Sequence, residues 1–248
     1  MGAAAVGGPV TRREERPGSG APTAGGGEGK AKAPAPVRVG SVGVMGGTFD
    51  PIHVGHLAAA EEARQSLGLE RVLFMPAGVP PHKPDRLITT AAHRVAMIEL
   101  AIQDNPAFEL SRLEVDRTGP SYTVDTVELI VARARKAGRE PDVTVILSAE
   151  SFRGLPTWSE PERLLRQCRL AIVPRDGFPL PGRAWVEEHF PGFEERVSFL
   201  DSPRLKLSAT EIRERVVAGR SIRYLVPDAV IRYIEDHALY RDETWRKN

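Results

Sequence analysis

Strand-like and helix-like stretches alternate along this chain from Arg38 onward, and that alternation limits the fold more than any other feature. "RVGSVGVM" (38–45) reads as a strand. "HLAAAEEARQSLG" (56–68) has helical spacing closed by Gly68, and "RVLFMP" (71–76) is a short apolar run stopped by Pro76. "AAHRVAMIELAIQ" (91–103) is helical, "FELSRLEV" (108–115) extended, and "TVDTVELIVARARKAG" (123–138) helical. "DVTVILS" (142–148) is a buried-strand run, "PERLLRQ" (161–167) a short helix and "RLAIVP" (169–174) another strand. "RVSFL" (196–200) is a last strand before two C-terminal helices. Strands and helices in this order imply right-handed βαβ units. The expected class is α/β: a doubly wound, mostly parallel sheet with helices on both faces and a helical C-terminal end. Ligands of such sheets bind beyond the carboxyl ends of the strands, near the point where strand order reverses.

Residues 1–37 do not fit this pattern. They hold nine of the 23 glycines and no Leu, Ile, Phe, Trp or Tyr. Such a segment cannot bury enough apolar surface to offset its ordering entropy, so it is expected to be a disordered tail. It lacks the apolar core of a signal peptide, and Glu14, Glu15 and Glu28 count against a transit peptide. Residues 38–248 are then expected to form a single domain. A formal net charge of +1 gives no global field for nucleic acid or a membrane surface. No apolar stretch approaches the roughly 20 residues of a membrane span. The single cysteine, Cys168, excludes an internal disulfide and a multi-cysteine zinc site, and it fits a reducing cytoplasm.

The first strand runs into "GGTFDPIHVGH" (46–56), which its position puts in the expected crevice. Gly46 and Gly47 let the backbone approach an anion closely. The helix that follows points its free N–H groups and positive dipole end at the same spot. His53 and His56, three apart, share a face there and can both donate to phosphate oxygens. Zinc ligation is disfavoured, because a site needs at least three protein ligands and the H-x-x-x-H spacing is missing. Neither a Walker loop nor a G-x-G-x-x-G fingerprint is present. A plain glycine-rich turn would explain one incidental histidine, but not two histidines, two glycines and a helix start together.

A second element, "KLSATEIRERV" (206–216), lies far down the chain. Ser208 with Glu211 three residues on is a capping-box pattern. A capped helix start is also an anion site, where Ser208 and Thr210 offer hydroxyls and Arg213 a planar guanidinium. Two such starts imply a nucleoside triphosphate held at both ends. No activated serine, cysteine or lysine stands out as a nucleophile. The chemistry expected is therefore direct attack by a second substrate's phosphate on the α-phosphorus, with pyrophosphate released. Mg²⁺ would ride on the phosphates, with no ligand from the protein, because it keeps its waters and needs few carboxylates.

The two motifs resemble the H-x-G-H and S-[ST]-T-x-x-R elements of the nucleotidylyltransferase superfamily, with Ala209 in the middle position of the second. The resemblance implies a Rossmann-like sheet, with His53, His56 and Arg213 as catalytic residues. It implies an ATP site of Gly46, Gly47, Thr48, Phe49, Ser208, Thr210 and Arg213. Three further stretches, "VPPHK" (79–83), "RTGPSYTVDT" (117–126) and "LPTWSEPERLL" (155–165), narrow the resemblance to bacterial nicotinate-nucleotide adenylyltransferases. The ending "SIRYLVPDAVIRYIEDHALY" (221–240) resembles theirs too, so the likeness runs over about residues 40–241. It implies ATP and nicotinate mononucleotide as partners, the latter held by His82, Lys83, Thr123 and Trp158. Read by themselves, these stretches are a proline-stiffened loop, a helix cap and a packed tryptophan. Asp50 either contacts nucleotide or holds the turn. "LSAESF" departs from the family's G-x-D-[SA], with Ser148 for Gly and Glu150 for Asp, which leaves their nucleotide contacts open. Nicotinamide mononucleotide or phosphopantetheine as acceptor, and a relative that binds nucleotide without turnover, remain as alternatives. A homo-oligomer is also left open.

Overall fold

A computed structural model describes residues 38–78 and 87–247. The expected tail at 1–37, and His82 and Lys83, lie outside the described residues. Six strands form one sheet: β1 (Arg38–Gly47), β2 (Leu69–Pro76), β3 (Phe108–Leu110), β4 (Asp142–Ser148), β5 (Arg169–Val173) and β6 (Val197–Phe199). Their order is β3-β2-β1-β4-β5-β6 and every pairing is parallel, the Rossmann-like sheet the alternation predicts. The order reverses between β1 and β4, so a crevice opens beyond Gly47 and Ser148.

Eight α-helices are described: α1 (Val54–Leu67), α2 (Ala91–Ile102), α3 (Thr123–Lys136), α4 (Ala149–Arg153), α5 (Pro161–Gln167), α6 (Arg183–His189), α7 (Ala209–Val217) and α8 (Asp228–Asp236). Helix α1 ends as its sequence predicts, with Gly68 in the left-handed conformation at φ 62°. The strands bury both faces, as a parallel sheet under two helical layers must. Along β4, Val143, Val145 and Leu147 join one core cluster while Ile146 joins the other. The first cluster includes Phe152 and Leu164, and the second gathers Phe74, Ile98, Ile212 and Ile234. At Gly43 in β1 a Cβ would stand 2.9 Å from Leu69 Cδ1, so the strand needs glycine there to let its neighbours close over it.

Some boundaries differ from expectation. The extended run at 108–115 is a strand only over its first three residues. Ser111 N–H makes a bond to Phe74 O at 2.9 Å, and the chain then turns through an Arg112–Asp116 ion pair and main-chain bond. The last strand covers 197–199, while α1 begins at Val54, the start expected for the helix that follows the opening motif. Helices α4 and α6 carry too short a periodic signal to stand out in the sequence.

Candidate active site

The turn after β1 lines a cleft of about 500 Å³ together with the ends of β4 and β5 and the start of α7. Gly47 carries no side chain because the Phe49 ring lies beneath it; a Cβ there would stand 3.1 Å from Phe49 Cζ. Phe49 itself has φ 52°, unusual for a residue with a side chain. Its ring is buried against Phe74 and His56, with centroids 5.9 and 5.0 Å away, and this packing holds the backbone in that region.

His53 is the N-cap of α1 and His56 lies in its first turn. Their rings stack with centroids 3.6 Å apart. The His53 N–H donates to His56 Nδ1 at 3.2 Å, and the His56 N–H donates to His53 O at 2.9 Å. Because His56 Nδ1 accepts, its ring proton belongs on Nε2, which makes that nitrogen a donor. Burial, then the charge of Arg175, pulls the His53 pKa down to about 4. Burial also holds His56 well below its usual range, helped by His53 and Arg175. Both rings are therefore neutral donors at neutral pH in the absence of ligand. Among the described residues, buried His53 Nδ1 has no close hydrogen-bond partner and is turned toward the His56 main-chain N–H in a loose capping box.

Arg175, just past β5, lines the cleft and faces Glu150 at 3.6 Å. No local motif marks Arg175; only the rule that ligands gather at the carboxyl ends of strands points to it. Ser148 and Glu150, the two departures from the family pattern, also line the cleft. Ser148 Oγ caps α4 by accepting the Ser151 N–H at 3.1 Å.

Across the cleft, Ser208 caps α7 by accepting the Glu211 N–H at 3.1 Å. Only this half of the capping box forms, since the Glu211 carboxylate pairs with Arg215 instead. Ser208 and Thr210 line the cleft. Arg213 is not among the lining residues. Its guanidinium is buried, donating to Asp50 O at 2.7 Å and Thr210 Oγ1 at 3.2 Å, above the Trp245 ring. Asp50 is buried as well. Its carboxylate accepts from Thr89 N–H at 3.1 Å, Thr89 Oγ1 at 2.5 Å and Tyr240 OH at 2.6 Å. Asp50 thus braces the turn, and it also stands among the residues that line the cleft.

Thr123 opens α3 and Trp158 packs partly buried against the β4-side core, and neither lines this cleft. The segment before Thr123 still reaches the turn indirectly. Gly78 N–H donates to Ser121 Oγ at 3.3 Å, and Ala77 N–H donates to Gly47 O at 2.9 Å. Among the described residues no group of three or more His, Cys, Asp or Glu could hold a metal ion. The cleft's polar lining brings histidine, hydroxyl and arginine donors suited to phosphate oxygens together with the carboxylate residues Asp50 and Glu150. Among the described residues no helix is long and apolar enough to cross a membrane.

Residues 44–215 match the cytidylyltransferase-like family. A protein of Roseiflexus sp. (strain RS-1) named "Probable nicotinate-nucleotide adenylyltransferase" is 48% identical over 81% of this chain and 98% of its own length. A protein of the same name from Thermomicrobium roseum is 43% identical over 81% of this chain and 91% of its own. Among solved structures, the nicotinic acid mononucleotide adenylyltransferase of Plasmodium falciparum, complexed with NaAD, superposes with a TM-score of 0.67. That match has 18% identity and covers 81% of this chain and 97% of the other, a likeness of fold.

Proposed function

The chain belongs to the cytidylyltransferase-like family and, within it, to the nicotinate-nucleotide adenylyltransferases, and from that premise we propose how its residues carry the reaction. The enzyme transfers the adenylyl group of ATP to nicotinate mononucleotide. An oxygen of the acceptor phosphate bonds to the α-phosphorus, the bond from that phosphorus to the bridging oxygen breaks, and pyrophosphate leaves. The observation that carries this reading is the pair of donor-bearing helix starts, at His53–His56 and Ser208–Thr210, facing one cleft at the reversal of strand order.

In this reading Gly46, Gly47, Thr48 and Phe49 wrap the triphosphate with main-chain N–H groups, and Ser208 and Thr210 hold its far end. His53 and His56 donate to the oxygens of the transferring phosphorus, where negative charge builds up. Arg175 adds a positive charge beside them, and Glu150 steers it. Arg213 supports Thr210 and the Asp50 carbonyl, and it meets a phosphate only by giving up that carbonyl. Thr123 and Trp158, with His82 and Lys83, take the acceptor. A Mg²⁺ ion, when bound, would be held by the phosphates and would neutralise charge on them, with no ligand from the protein. Residues 38–248 act as one domain, in the cytoplasm, with no nucleic acid or membrane as partner and with a homo-oligomer compatible.

Pyrophosphate release with ATP and each of three acceptors tests the reading: nicotinate mononucleotide, nicotinamide mononucleotide and phosphopantetheine. The highest kcat/KM is expected with nicotinate mononucleotide. ATP binding in a calorimeter without turnover on any acceptor would overturn it in favour of a non-catalytic relative.

A further inference from the structure

Arg94 plays no part in the chemistry described above, yet it is one of the most deeply buried charged side chains in the described structure, 2% exposed. It sits in the first turn of α2, in a stretch whose helical spacing gives no hint of a buried cation. Its guanidinium donates to three main-chain carbonyls from three separate segments. Nη1 reaches Thr48 O at 3.0 Å, Nε reaches Thr89 O at 3.2 Å, and Nη2 reaches Gly78 O at 3.5 Å.

The first bond sets a peptide plane. The Thr48–Phe49 bond is trans, so the Phe49 N–H points opposite to the Thr48 carbonyl. Arg94 holds that carbonyl, which turns the Phe49 N–H away from the guanidinium, on a peptide whose two residues both line the cleft. The other two bonds register this peptide against its surroundings. Gly78 lies just past β2 and also bonds Ser121 ahead of α3. Thr89 grips the Asp50 carboxylate through both its N–H and its hydroxyl. A planar fork with fixed donor directions can serve three carbonyls at once, whereas an ammonium group is a point charge on a flexible stem.

We infer that Arg94 is a positioning residue for adenylyl transfer: its buried guanidinium fixes the Thr48–Phe49 peptide as a donor to the triphosphate and ties it to the β2 exit and to Thr89. The inference rests on the adenylyl-transfer reading. A donor fixed before the reaction acts mainly in the transition state, so its loss appears in kcat more than in KM.

The test uses Arg94→Lys and Arg94→Ala in the full chain, with pyrophosphate release and thermal melting measured side by side. Arg94→Lys keeps the charge and loses the fork. It is expected to melt cooperatively and to lose kcat on the order of 10²-fold, as a small misplacement of a site does, with KM for ATP little changed. Arg94→Ala is expected to lose at least as much and to regain part of its kcat when guanidinium ion is added, but not with methylammonium. The inference is overturned by an Arg94→Lys kcat within about twofold of wild type. It is also overturned by equal rescue with the two cations, or by loss of cooperative melting in both variants, which would make Arg94 a fold residue alone. Wild-type protein that releases no pyrophosphate would instead count against the adenylyl-transfer reading itself.

Discussion

Two stacked imidazoles are held neutral at the start of α1 in the absence of ligand, and their protonation state carries consequences for both rate and stability. The hydrogen bond from His53 N–H into His56 Nδ1 leaves His56 Nε2 as the donor. His56→Ala removes it, and kcat is expected to fall on the order of 10²-fold, as with loss of other preorganised donors. Melting should stay cooperative because α1 keeps its Gly68 cap, with a midpoint lowered by the lost acceptor for the His53 N–H and the lost ring contacts. An unchanged kcat would take His56 out of the mechanism. The buried His53 ring also makes stability depend on pH. Its folded pKa of about 4 lies below the unfolded value of 6.5, so between these pH values the unfolded chain binds more protons. This contribution is therefore fully favourable above about pH 6.5 and is lost as pH falls toward 4, by up to about 3 kcal/mol for His53. Urea midpoints measured across that range should fall with pH in the wild type and less steeply in His53→Gln. Equal slopes would rule His53 out as the cause.

At the scale of elements, the two helix starts do related work by different means. Helix α1 begins on the histidine pair, while α7 begins on Ser208, whose Oγ accepts the Glu211 N–H. Ser208→Ala leaves that donor without its cap and is expected to destabilise the protein by about 1 kcal/mol in chemical denaturation. It should also raise KM for ATP, since Ser208 lines the cleft. A variant with wild-type KM would make Ser208 a cap and nothing more. The elements were legible where periodicity ran long enough. The positions of α1, α2, α3, α5 and most strands follow from their apolar spacing and from glycine and proline stops. Helix α4 was missed because its five residues span barely more than one turn. The 108–115 run reads as extended because apolar residues continue past Leu110, but their alternation slips at Arg112–Leu113, where the chain leaves the sheet.

Across the whole molecule, the turn that faces the cleft is held from behind by residues far away in sequence. Tyr240, close to the C-terminal end, donates to Asp50 at 2.6 Å across 190 positions. Tyr240→Phe keeps the ring and its edge-on packing against Trp245 but removes that donor. It is expected to destabilise the protein by about 1–3 kcal/mol, the range for a buried acceptor left short of a donor. A urea midpoint equal to wild type would show that Thr89 alone satisfies Asp50. Sequence by itself determined the parallel α/β class, the place of the opening motif at the end of the first strand, and the pairing of that motif with the Ser208 element. It could do so because strand and helix periods, caps and glycine stops are local, and because a phosphate site is built from short contiguous stretches. Only the tertiary structure decided that Arg213 turns inward, that Thr89 and Tyr240 hold the Asp50 carboxylate, that Arg94 braces three carbonyls, and that Arg175 stands beside the histidines. These roles depend on which distant side chain fills a buried space, and no local spacing records that.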